Sequence, residues 1–148
     1  MKTIHKSVLL SHSAHEMFAL VTDIERYPEF LPWCDQGEVL ESNDDGMLAR
    51  VGMAISGLRQ SFTTRNTHES DRKVLMALVD GPFSQLDGTW TFTPLGDGTL
   101  RACKVEFTLS YGFSSSALAA LVGPVFDKIA SNLVDAFVKR ADQVYGTD

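Results

Sequence analysis

Hydrophobic and polar positions divide the chain into a leading strand, a helical pair, a long stretch of period two and a closing stretch of period 3.6. Thr3 to Leu10 reads as a strand, with Ile4, Val8 and Leu10 in one phase. Ser13-Ala14-His15-Glu16 forms a Ser-x-x-Glu capping box, which satisfies amide groups orphaned at a helix start. Ala14, Met17, Phe18 and Val21 then recur at helical spacing and predict an amphipathic helix to about Val21. Thr22 or Asp23 caps a second helix of one or two turns through Ile24, Glu25 and Arg26, which Pro28 stops near Tyr27.

From Glu38 to Tyr111 the period is two. Strands are expected over 38–41, 47–55, 58–67, 73–79, 85–93 and 100–111. Turns fall at Asn43-Asp44-Asp45-Gly46, Ser56-Gly57, Glu69 to Arg72, Asp80-Gly81-Pro82 and Leu95-Gly96-Asp97-Gly98. Leu58, Gln60, Phe62 and Thr64 share one face of their strand, and Arg59, Ser61, Thr63 and Arg65 the other. Leu86, Gly88, Trp90 and Phe92 are in phase, as are Cys103, Val105, Phe107, Leu109 and Tyr111. Ser114-Ser115-Ser116 offers caps to a helix of about 25–30 residues. Its apolar stripe is Leu118, Val122, Val125, Ile129, Leu133, Ala136 and Arg140, widened by Leu121, Phe126, Val134 and Phe137. Gly123-Pro124 is expected to interrupt it, and Tyr145 to Asp148 to fray.

These elements predict an α+β helix-grip fold. A curved antiparallel sheet of about seven strands wraps a long C-terminal helix, and two short helices follow the first strand. The 148 residues are expected to form one domain over 1–148. Between sheet and helix a cavity remains unless side chains fill it.

Composition narrows the function. The formal charge of −6 argues against a basic nucleic-acid-binding face and predicts no DNA partner. Cys34 and Cys103 form no Cys-x-x-Cys, which suits a reducing cytoplasm. The N-terminus lacks a signal-peptide pattern, and no run approaching 18 apolar residues predicts a membrane span. Oligomeric state is not readable.

Candidate chemistry is sparse. His12 and His15 stand near a helix start without a third ligand, so solvated polar residues are expected there rather than a metal. Cys34 reads as a buried filler. Glu29, Asp35 and Glu38 flank the Tyr27–Cys34 stretch as rim carboxylates or, on the sharper reading, an acid–base pair. No Gly-x-Ser-x-Gly, P-loop or Gly-x-Gly-x-x-Gly occurs. No catalytic residue, metal or required cofactor is expected. The binding reading has more support. Tyr27, Phe30, Leu31 and Trp33 lie in a proline-stiffened apolar loop that is either a rim or a core plug. Phe62, Phe83, Trp90, Phe107, Val122 and Phe126 are candidate cavity walls, with Gln60, Thr64 and Arg65 as polar anchors. Arg59, Arg65, Arg72 and Lys73 form either a local basic patch or a solvated sheet face.

Five segments carry a family resemblance: Asp23 to Cys34, Gly57 to Arg65, Asp80-Gly81-Pro82-Phe83, Trp90-Thr91-Phe92 and Gly123-Pro124-Val125-Phe126. They resemble the coenzyme Q-binding Coq10/RatA family of the START-like, polyketide cyclase/dehydrase superfamily, over about residues 3–144. The Tyr-Pro-x-Phe-Leu-Pro-Trp-Cys string is the most specific part. The resemblance implies a non-enzymatic carrier or chaperone of a lipophilic molecule, with ubiquinone as ligand and cellular respiration as setting. Such a protein is cytoplasmic and meets the inner-membrane surface transiently. It also implies a RatA-type toxin that binds the large ribosomal subunit and blocks subunit association, and the superfamily allows a cyclase/dehydratase enzyme. The Gly123-Pro124 break is implied to let the gripping helix move to admit ligand.

Overall fold

The structure, a computed structural model, describes residues 2–96 and 100–146. Its strands are β1 (Lys2–Leu10), β2 (Cys34–Asn43), β3 (Gly46–Ile55), β4 (Leu58–Glu69), β5 (Lys73–Asp80), β6 (Phe83–Pro94) and β7 (Cys103–Phe113). They form one antiparallel sheet in the order β1-β7-β6-β5-β4-β3-β2. Helix α1 (Ala14–Thr22) and a 3-10 helix (Ile24–Glu29) lie between β1 and β2, and α2 (Ser116–Tyr145) closes the chain. This is the helix-grip arrangement that the periodicities predict.

The capping box at Ser13 is present in full: Ser13 Oγ accepts from Glu16 N at 3.0 Å, and Glu16 Oε1 accepts from Ser13 N at 2.8 Å. Ser56 and Gly57 both take positive φ, which matches a two-residue hairpin to the strand twist. The phases of β6 and β7 hold, with Trp90, Phe92, Phe107 and Tyr111 all buried.

Several boundaries differ. The helix after α1 does not stop before Pro28: it is a 3-10 helix that contains it, closed by Phe30 N donating to Tyr27 O at 3.2 Å. β2 starts at Cys34 rather than Glu38. Register shifts at Cys34/Gln36 and Val39/Glu41 break the alternation that would have revealed it. The 3-10 helix presses on this strand at Gly37, where a Cβ would lie 2.0 Å from Ile24 O. Leu100 and Arg101 precede β7, and the turn expected at Leu95 to Gly98 lies partly outside the described residues. In β4 a register shift at Thr63/Thr64 buries Thr63 as well as Thr64, so the clean two-face split fails there.

The long helix brings three corrections. Gly123-Pro124 does not interrupt α2, which runs through Pro124 for 30 residues. Its buried face is Val122, Phe126, Ala130, Val134, Phe137 and Ala141, while Leu121 (53% exposed) and Val125 (41%) face outward. Length and composition alone would also let α2 cross a membrane, contrary to the sequence expectation; here that apolar face lies against the sheet as the core. Tyr145 is not frayed: it ends α2, and its hydroxyl donates to Glu16 O at 3.2 Å.

Candidate ligand-binding site

The concave face of the sheet and the inner face of α2 enclose a cavity of about 90 Å³. Seven of the ten expected contact residues line it: Tyr27, Leu31, Trp33, Phe62, Trp90, Phe107 and Phe126. Both tryptophans of the chain are therefore in its walls. Val122 lines a narrower crevice of about 10 Å³ with Met53, Ile55, Leu58, Pro82 and Leu118; Phe126 belongs to both spaces and separates them. Phe83 is packed in the core against Phe62, Phe113 and Phe126. Phe30 stands outside, in a surface cleft with Arg26 and Arg140.

Ligand pockets commonly hold about 300–1,000 Å³, so side chains fill most of this one. Aromatic packing does the filling. Trp90 lies 4.4 Å from Phe107 and 5.2 Å from Phe137, centroid to centroid. Met76 supplies the adaptable part of the wall, since a thioether has three soft torsions. It occupies the hollow left by Gly88, where a Cβ would lie 2.4 Å from Met76 Cε.

The Tyr27–Cys34 stretch closes the end of the cavity at the C-terminal half of α2. Leu31 is 1% exposed, and the Tyr27 and Phe30 rings meet Phe137 edge-on at 5.4 and 5.1 Å. The Tyr27 hydroxyl donates to Val21 O, and burial pushes its pKa far up, so the phenol stays protonated. The Arg140 guanidinium sits 5.1 Å over Phe30 and 2.6 Å from Glu29 Oε1. A pinned plug describes this stretch better than an open rim.

The other polar candidates separate. Thr64 is buried in the cavity wall. Gln60 is exposed at the crevice mouth, and Arg65 points to the opposite face of β4, 3.6 Å from Glu41. The sequence reading missed Asn66, which continues the Phe62-Thr64 phase two residues further and also lines the cavity. Extending that alternation would have found it.

No acid–base pair forms among the rim carboxylates. Glu29 pairs with Arg140, Asp35 with Arg59 at 2.9 Å and Glu38 with Arg50 at 3.6 Å. His12 is not solvated as expected: it is 3% exposed, pairs with Asp142 at 2.8 Å and leaves Nδ1 without a partner. His68 Nε2 is also buried and unpartnered, and burial lowers its pKa. Neither histidine lines the cavity. Burial raises both thiols, Cys34 and Cys103, the latter to about 11, as befits fillers. Among the described residues no group of three His, Cys, Asp or Glu side chains is placed to hold a metal.

The basic residues of the β4 hairpin are already engaged. Besides Arg59 and Arg65, Lys73 stands 3.9 Å from Glu69, and Arg72 donates to Asp71 O at 3.0 Å.

Comparison with known proteins agrees with this architecture. The family described as "Polyketide cyclase / dehydrase and lipid transport" matches residues 10–138. The ribosome association toxin RatA of Vibrio cholerae serotype O1 is 46% identical over 99% of both chains. The mitochondrial coenzyme Q-binding protein COQ10 homolog B of Xenopus laevis is 27% identical over 95% of this chain and 58% of its own length. The solution structure of the 18 kDa protein CC1736 from Caulobacter crescentus covers 99% of both chains at 31% identity, with a TM-score of 0.74. The Zhui aromatase/cyclase from Streptomyces sp. R1128 shares the fold at TM-score 0.81 and 13% identity, over 96% of this chain and 94% of its own. The chain belongs to the polyketide cyclase/dehydrase and lipid transport family, within the Coq10/RatA group.

Proposed function

We propose that the chain binds a lipophilic small molecule, an isoprenoid quinone such as ubiquinone, in the cavity between sheet and α2, and carries it without catalysing its conversion. The observation that supports this most is the wall chemistry. Apart from Thr64 and Asn66, the lining is apolar or aromatic, Tyr27 included. A cyclase or dehydratase needs a positioned acid or base, and these walls offer only a phenol, a hydroxyl and an amide. An isoprenoid tail needs no more: each buried CH₂ contributes about 0.8 kcal/mol.

At about 90 Å³ the cavity must widen to take a quinone. Ligand enters by displacing Phe126, through the crevice between the β3–β4 turn, the β5–β6 turn and the first turns of α2. Leu121 and Val125 are exposed on those turns and suit contact with a membrane surface. The protein works in the cytoplasm and meets the inner membrane there. Organic extraction of protein purified from bacteria, followed by mass spectrometry, tests the reading. Quinone recovered in proportion to protein is expected; extracts without quinone, joined to no uptake on titration, would sink it.

The identity to RatA supports a second activity, association with the large ribosomal subunit. The ion pairs on the outer sheet face leave little free positive charge for phosphate, so such contact would rest on shape and side-chain packing. Co-sedimentation with large subunits that survives moderate salt is expected on this reading. Absence of co-sedimentation even at low salt would end it.

A further inference from the structure

Asn66 is 4% exposed, yet among the described residues its side-chain amide makes only one hydrogen bond: Thr64 Oγ1 donates to Asn66 Oδ1 at 2.7 Å. Among the described residues the Nδ2 group has no protein partner, and both residues line the apolar cavity. Their spacing of two on β4 puts them on one face. There Asn66 stands opposite Met47 on β3 and Met76 on β5. An amide carries two donors, and among the described residues no protein acceptor takes up those of Asn66.

Resting on the ligand-binding reading above, we infer that Asn66, oriented by Thr64, is the polar anchor of the cavity and takes a hydrogen-bond-accepting oxygen at the buried end of an otherwise apolar ligand. Thr64 already occupies the amide oxygen, so what the pair offers a ligand is chiefly donors. A ring carbonyl suits them; a bare hydrocarbon gains nothing. The polar head is then deepest in the cavity, beside Met76, and the tail leads out past Phe126. The pair thus sets both the orientation of the ligand and the preference for a carbonyl-bearing head.

Titration calorimetry with decylubiquinone and with decylbenzene, two probes with the same tail, tests this. Asn66→Leu is expected to weaken decylubiquinone about tenfold, the factor expected from one lost hydrogen bond, and to leave decylbenzene unchanged or tighter. Thr64→Val is expected to weaken decylubiquinone by a smaller factor, because the amide loses its fixed orientation. The unliganded Asn66→Leu protein is expected to melt close to the wild type, because the added apolar burial offsets the lost Thr64 hydrogen bond. Equal binding of decylubiquinone by wild type and Asn66→Leu would overturn the anchor while leaving the cavity reading intact. Wild-type protein that binds neither probe would overturn both. An Asn66→Leu protein that fails to fold would make Asn66 a structural residue and overturn the anchor.

Discussion

The two halves of α2 hold the sheet differently. From Phe137 to Tyr145 the helix is tied by aromatic edges and by several polar contacts. Arg140 pairs with Glu29, Asp142 with His12, and the Tyr145 carbonyl accepts from Arg101 at 3.0 Å. From Ser116 to Asp127 the contacts are mainly apolar. The exceptions are the Ser115 cap and the cluster of Asp127 with Lys2 and Tyr111. Pro124, which has no N–H to donate, lies in this N-terminal half. One end of the cavity is thus locked by directional contacts, and the other is closed mostly by packing, which can reopen.

The largest effect that tests this difference is Phe137→Ala. It removes a ring shared by Tyr27, Phe30 and Trp90 and should cost about 3–5 kcal/mol in denaturant titrations. Phe126→Ala should cost about 3 kcal/mol, yet bind a quinone probe faster in stopped-flow, because it joins the crevice to the cavity. If Phe137→Ala speeds binding as much as Phe126→Ala does, the two ends are equivalent and the comparison fails.

A smaller effect is electrostatic. Arg101 hydrogen-bonds both carboxylate oxygens of Glu16, at 2.9 and 2.8 Å, and holds its pKa down at about 2 against an ordinary 4.5, in opposition to burial. The folded state therefore takes up this proton less readily than the unfolded chain. The stabilisation is complete above about pH 4.5 and is lost as pH falls toward 2. Arg101→Met should cost about 1–2 kcal/mol at pH 7, allowing for screening at the half-exposed guanidinium, and almost nothing near pH 2. A loss independent of pH would remove the ion pair from the locked end.

The smallest effect on stability is expected at the reopening end. Leu121→Ser should change stability by about 0.5 kcal/mol or less, while slowing uptake of quinone from lipid vesicles relative to uptake from detergent. Equal slowing in both would deny the exposed patch a role at a membrane surface.

Much of this was legible in the sequence, for physical reasons. Strands with one buried face announce themselves by alternation, and β6 and β7 pair without a shift from Gln85 and Gly112 onward. The capping box fixed the start of α1. Legibility failed where geometry departs from the ideal period. Bulges hid the first half of β2, whereas Asn66 was within reach of the Phe62-Thr64 phase. On α2 the apolar residues span more of the circumference than the sheet covers, so periodicity alone could not tell Phe126, inside, from Val125, outside. The site was legible as a list of aromatics. How far those aromatics fill their own cavity depends on packing between strands distant in sequence, which no local pattern encodes.

Trp33 and Trp90 both line the cavity, so intrinsic fluorescence reads its occupancy directly. Titration of the protein with decylubiquinone in detergent below micelle formation is expected to give saturable quenching at one equivalent, relieved on competition with excess decylbenzene, which lacks the quenching ring. Quenching that stays linear and unsaturated up to the solubility limit, with no competition, would contradict a lipid-binding cavity in this protein.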